Sequence, residues 1–135
     1  MMDLSALVSP SLADFERLAE EAYSRLPADF RRMSEGVVVR VEDFPTDDVL
    51  EELKADSEFD ILGLFQGIGL AQAGLEVTGR MPNMVFLYRR PILDYWAANE
   101  ETLGHILTHV LVHEIGHHFG LSDDDMEAIE AAAEL

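Results

Sequence analysis

The sequence predicts an α+β domain. A small mixed sheet packs against an N-terminal helix and a long histidine-bearing helix, and a short helix closes the chain. Three observations predict it. Apolar residues recur at helical spacing over 11–26 and again from about Glu100 to Phe119. Between these stretches lie short segments that alternate or run apolar, as strands do. The strands all precede the histidine-bearing helix, which is an α+β order rather than a strict alternation. With 135 residues, one domain spanning 1–135 is the natural count. A chain of that size buries a core without needing disulfides.

The first helix is placed on Leu12, Phe15, Leu18, Ala22 and Leu26, with acids and arginines between them. Pro27 ends or bends it, and ADFRRM adds a short helical turn. Gly36 opens VVVRVEDFP, where alternating Val37, Val39 and Val41 read as a half-buried strand closed by Pro45. Residues 46–58 are polar and acidic, a short helix or a loop. FDILGLFQG, 59–67, reads as an apolar strand, and Gly63 inside it marks a bulge or a close backbone approach. The glycine-rich stretch from 68 to 83 reads as a hairpin arm and a loop. MVFLYRR, 84–90, is a strand stopped by Pro91.

The long helix then runs from about Glu100 to Phe119, with Asn99 as N-cap and Glu100 and Glu101 at the positive end of its dipole. Leu103, Ile106, Leu107, Val110 and Leu111 form its apolar face. Gly120 suits the residue just past a helix C-terminus. Ser122 with Asp125 resembles a capping box for a last helix over 123–134.

Composition removes several function classes. There is no cysteine, which excludes thiolate zinc sites, cysteine nucleophiles and disulfide scaffolds. The formal net charge is -18 and Lys54 is the single lysine. Such a surface repels phosphate backbones and anionic lipid heads, so neither nucleic acid nor membrane is an expected partner. No apolar run approaches the roughly 18 residues of a membrane span. MMDLSALVSPSLADF has neither a basic start nor a long apolar core, so a cytoplasmic location is expected.

The chemistry concentrates in VLVHEIGHHFGLSDDDM, Val110 to Met126. His113-Glu114-Ile115-Gly116-His117 is an HExxH late in a helix. Residues four apart lie one turn apart on one face, so both imidazoles reach the same cation. Glu114 follows the first histidine and approaches a water at the metal rather than the metal itself. Chance places an HExxH in well under ~1% of chains this short, so a metal site outweighs two incidental histidines. Gly120 and Asp123 extend the string to HExxHxxGxxD. A glycine with positive φ turns the chain sharply and returns residue 123 toward the histidines. Acids in a first helical turn are also favoured by the helix dipole alone, which accounts for a DDD run without a metal. Spacing sets Asp123 ahead of Asp124, Asp125 or water as the third ligand.

YRRPI (Tyr88 to Ile92) followed by THVLVHEIGHHFGLSDDDM (Thr108 to Met126) resembles the zincin metallopeptidases. More closely, it is similar to the minimal zincin-like metallopeptidase family of small bacterial proteins. The likeness runs from the first helix onward and is most specific over 84–126. It implies a zincin-like fold, one Zn2+ ion, His113, His117 and Asp123 as ligands, and Glu114 as general base. The chain departs from large zincins after Asp123. Twelve residues follow Asp123, so the C-terminal subdomain that forms the far wall of their substrate cleft is not expected. Met126 is too close and too helical for a metzincin-type Met-turn.

The function expected is hydrolysis of a peptide or protein substrate, held extended along 60–66. Two alternatives stand beside it: a regulatory protease with a narrow target, and a non-catalytic zinc-binding or partner-binding descendant. The remaining chemical residues read as structural. His105 and His109 continue the four-residue ladder of His113 and His117. His118 is rotated by about 100° from His117. Arg89 and Arg90 pair with acids, and Trp96, Phe86 and Leu87 belong to the core. Tyr88 and Tyr95 are equal candidates for an oxyanion donor.

Overall fold

The structure, a computed structural model, describes residues 3–67 and 83–133. Ser11 starts helix α1 (Leu12–Ser24) with a complete capping box: its hydroxyl accepts from Asp14 N–H, and its own N–H donates to the Asp14 carboxylate. Phe15, Ala19 and Ala22 form the buried stripe of α1, whereas Leu12 at its first turn stays exposed. Pro27 supplies the turn into α2 (Ala28–Met33), which buries Phe30. Buried Ser34 bonds Tyr23 Oη at 2.7 Å and donates to Phe30 O at 2.8 Å, so its hydroxyl is satisfied. Gly36 (φ 89°) then turns the chain into β1 (Val38–Glu42).

The segment 46–58 resolves into a short helix, α3 (Asp47–Glu52), capped by the Thr46 hydroxyl, followed by irregular chain. The strand expected over 59–67 is shorter, β2 (Gly63–Gln66). The cause is local. Ser57 N–H donates to the Asp60 carboxylate at 3.0 Å, and the Ser57 hydroxyl accepts from Phe59 N–H at 3.1 Å. Together they build a turn that holds Phe59 outside the strand. Phe59 instead meets Phe44 edge-on at 5.2 Å. The hairpin arm expected after residue 67 lies, except for Asn83, outside the described residues.

β3 (Met84–Tyr88) is the middle strand of a mixed sheet ordered β1-β3-β2. It pairs parallel with β1 (Arg40 opposite Phe86) and antiparallel with β2 (Leu64 opposite Phe86). A central strand covered on both faces reads as a continuous apolar run, which is why MVFLY does not alternate.

Two expectations after β3 are corrected. Pro91 does not stop the chain: α4 (Arg89–Ala98) begins directly after Tyr88 and holds Pro91 in its first turn. A first-turn residue has no intrahelical use for an N–H, so proline is tolerated there. Arg90 N–H finds Asp43 O at 3.1 Å instead. Asn99 is therefore the C-cap of α4, not the N-cap of the long helix. That role falls to Thr102, whose Oγ1 accepts from His105 N–H at 3.1 Å. Helix α5 accordingly runs Leu103–His118, and Glu100 and Glu101 lie before it. Trp96 is not core either; it sits on the outer side of α4, 37% exposed.

α5 ends in a Schellman turn. Gly120 has φ 79°, its N–H bonds His117 O at 3.1 Å, and Leu121 N–H bonds Gly116 O at 2.9 Å. Ser122 and Asp125 then cap α6 (Asp123–Ala133) reciprocally, as expected. The core gathers Phe15 and Leu26 from the N-terminal part, Val85 and Leu87 from β3, Ile92 from α4, the apolar face of α5, and Met126. Among the described residues no helix is long and apolar enough to cross a membrane.

Candidate metal centre

Successive turns of α5 carry His105, His109, His113 and His117, so the helix presents a column of imidazoles. The rings of His113 and His117 stand 5.6 Å apart between centroids and nearly perpendicular, at 85°. The turn at Gly120 sends α6 back along α5, and His117 Nε2 then lies 3.9 Å from Asp123 Oδ1. The structure thus brings Asp123 toward His117 at the end of α5, with His113 one turn back on the same helix. Asp125 is committed elsewhere, accepting from Ser122 N–H.

Glu114 faces β2. Gly63 permits this closeness: a β-carbon there would overlap Val110 Cγ1 and stand 3.5 Å from Glu114 Cγ. The close backbone approach that the sequence marks at Gly63 is therefore a contact between β2 and α5. Burial pushes the Glu114 carboxyl above its ordinary range, opposed by a backbone hydrogen bond from Phe65 and by nearby His117. A groove of about 360 Å³ runs between Asp60–Gly63 on one side and His109, His113, Glu114 and His117 on the other. A larger hollow, about 770 Å³, lies at the other end of α5 beside Glu101 and His105 and touches none of the four predicted site residues.

Glu130 is the residue that sequence reasoning missed. It projects from α6, and its carboxylate bridges two histidines: Oε1 lies 2.7 Å from His109 Nδ1 and Oε2 lies 3.3 Å from His113 Nε2. His109, His113 and Glu130 offer ligand atoms all within 4.8 Å of one another. The available signal was spacing. Glu130 lies two helical turns beyond Asp123 and so shares its face of α6.

The other singled-out residues have structural partners. His105 meets Glu101 at 3.3 Å. His118 leaves the column and stacks on Phe65, 3.9 Å between centroids. Arg89 donates to Pro10 O at 2.7 Å and to Asp43 at 2.9 Å, and Arg90 lies over the Phe44 ring. Tyr88, buried and close to Glu42 and Glu114, has its hydroxyl pushed up to about 12. Tyr95 donates to Glu101 and does not line the groove.

The donor set fits zinc. It offers imidazole and carboxylate without thiolate, and the His117 ring faces solvent. Donors on a tetrahedral zinc stand roughly 3.3 Å apart when bonds are ~2.0–2.1 Å; His113 Nε2 stands 3.3 Å from Glu130 and His117 Nε2 stands 3.9 Å from Asp123.

An HExxH helix beside a groove and a sheet margin, in a small α+β fold, defines a zincin-like protein. A family model described as Zincin-like metallopeptidase matches residues 34–133, and the chain belongs to that family. Among solved structures, a conserved hypothetical protein from Thermo thermophilus is similar in fold. It is 22% identical, with a TM-score of 0.52 over 81% of this chain and 94% of that one. No curated protein matches.

Proposed function

We propose that the chain is a zinc-dependent peptide hydrolase with Glu114 as its general base and His113, His117 and Asp123 as the zinc ligands. The observation that carries this reading is the position of Glu114, half-buried in the groove between α5 and β2 and flanked by both histidines. A zinc ion held by His113, His117 and Asp123 would supply Lewis-acid chemistry, lowering the pKa of a bound water toward ~7 and polarising the scissile carbonyl. Glu114 accepts the proton of the attacking water on its carboxylate and then delivers it to the leaving amine. Burial favours the protonated carboxyl, which suits the second step. β2 is an edge among the described strands, so residues 60–66 offer main-chain hydrogen bonds to an extended substrate. The charge of -18 speaks against nucleic acid as substrate and leaves peptide or protein.

The test loads the protein with zinc and follows cleavage of an unfolded protein substrate. Wild type is expected to cleave it. Glu114→Gln is expected to bind the same zinc and lose turnover, and retained hydrolysis in that variant sinks the assignment.

A second reading rests on one observation. Glu130 reaches the same His113 nitrogen from α6, so a closed, non-catalytic zinc site joining α5 and α6 competes with the open one. Wild type that binds zinc but never cleaves would favour it.

A further inference from the structure

Helices α5 and α6 run antiparallel, and their facing side chains form two rungs. The lower rung pairs His117 with Asp123. The upper rung joins His109 and His113 to Glu130. Asp123 and Glu130 are seven residues apart, a rise of about 10 Å along α6. On α5, the step from His117 to the midpoint of His109 and His113 is about 9 Å. The steps match, so α6 offers one carboxylate to His117 and the next to the His109–His113 pair.

From this we infer a second cation register, formed by His109 Nδ1, His113 Nε2 and Glu130, that takes a divalent transition metal such as zinc. The carboxylate is already placed with one oxygen on each ring, at 2.7 and 3.3 Å, and the three ligand atoms lie within 4.8 Å of one another, close enough to converge on one cation. The Glu130 side chain is 14% exposed, and its two partners there are the two imidazoles.

The competition between registers rests on the proposed function, since it assumes that the lower register also uses His113 Nε2. One nitrogen holds one ion, so the two registers exclude each other. The upper register takes His113 away from Glu114 and His117 and is a resting position for the metal.

Zinc alone is the probe, measured by equilibrium dialysis against the purified full chain. His117→Ala/Asp123→Asn disables the lower register, and both residues are exposed enough to leave the fold intact. This variant is expected to keep one ion per chain. His109→Ala/Glu130→Gln is also expected to keep one, and the variant carrying all four changes none. Wild type is expected to bind one, not two. Thermal melts by circular dichroism check that each variant folds. Loss of all zinc from His117→Ala/Asp123→Asn overturns the upper register while leaving the proposed function standing. Loss of all zinc from His109→Ala/Glu130→Gln, with the other variant still loaded, overturns the lower one instead. Two ions in wild type overturn the sharing of His113, and an ion retained by the fourfold variant overturns the assignment of both registers.

Discussion

Met126 packs its sulfur directly beneath Gly116, the glycine inside HEIGH: a β-carbon built on Gly116 would stand 2.6 Å from Met126 Sδ and 2.9 Å from Met126 Cγ. Met126 is fully buried. The contact presses α6 onto α5 at the level of His117 and Asp123, so the motif glycine sets how closely the two helices approach.

Gly116→Ala is therefore expected to destabilise the fold. Overpacking a buried site costs about 1–3 kcal/mol, against a helix-propensity gain of at most ~1 kcal/mol. The net loss should be about 1 kcal/mol in urea unfolding, with weaker zinc binding. Adding Met126→Ala to Gly116→Ala should recover part of the overpacking loss relative to the two single variants summed. Strict additivity in that double-mutant cycle would mean the contact does not set the helix spacing.

Arg89 joins the segment before α1 to the end of β1 through Pro10 O, Asp43 and Ser9. Its side chain is largely buried. Arg89→Ala strands a backbone carbonyl and a carboxylate, a loss of about 1–3 kcal/mol. Arg89→Lys should recover only part of it, because an ammonium cannot span the three acceptors in the fork geometry of guanidinium. Zinc affinity measured on the same proteins should not change, and a parallel loss of zinc would assign Arg89 to the site.

The sequence made the helix, turn and cap around the candidate site legible because their signals are local. Helical spacing places His113 and His117 together, and Gly120 with Ser122 and Asp125 encodes the turn and the cap within a few residues. The same locality explains the misreadings. Pro91 and Asn99 carry local signals for a stop and a start. α4 uses them as a first-turn residue and a C-cap because the chain folds back directly from β3, a decision made by tertiary packing. Glu130 was illegible for a related reason. Among alanines on an acidic helix it looks like a solvated residue until the antiparallel pairing of α5 and α6 brings it to His109.

Tyr88 gives a pH dependence with a definite sign. Its folded value is raised from 10.0 to about 12, first by burial and then by Glu42 and Glu114. A folded pKa above the unfolded one means that the native state holds the proton more tightly. Stability is then fully present below pH 10 and falls as pH rises toward about 12. Tyr88→Phe should flatten that alkaline decline and remove the latest tyrosine ionisation from an ultraviolet absorbance titration. An unchanged titration curve would show that the late step belongs to another tyrosine.

The three aspartates at the start of α6 carry two jobs that single substitutions separate. Asp125 receives the Ser122 N–H and accepts no role at His117, so Asp125→Ala should cost about 1 kcal/mol of stability, the usual worth of a cap, and leave zinc affinity alone. Asp123 is 91% exposed and stands 3.9 Å from His117 Nε2, so Asp123→Ala should leave the metal-free protein nearly as stable as wild type and weaken zinc binding. Metal linkage makes both effects visible in one melt. At a free zinc concentration of ~100 times Kd, wild type gains about 2.7 kcal/mol, on the order of 10 °C in Tm for a chain of this size. Asp125→Ala should show a lower starting Tm with the full zinc shift, whereas Asp123→Ala should start near wild type and lose most of the shift. The opposite pattern would move the third ligand to Asp125. A full shift in Asp123→Ala together with a lost shift in Asp124→Ala would move it to Asp124.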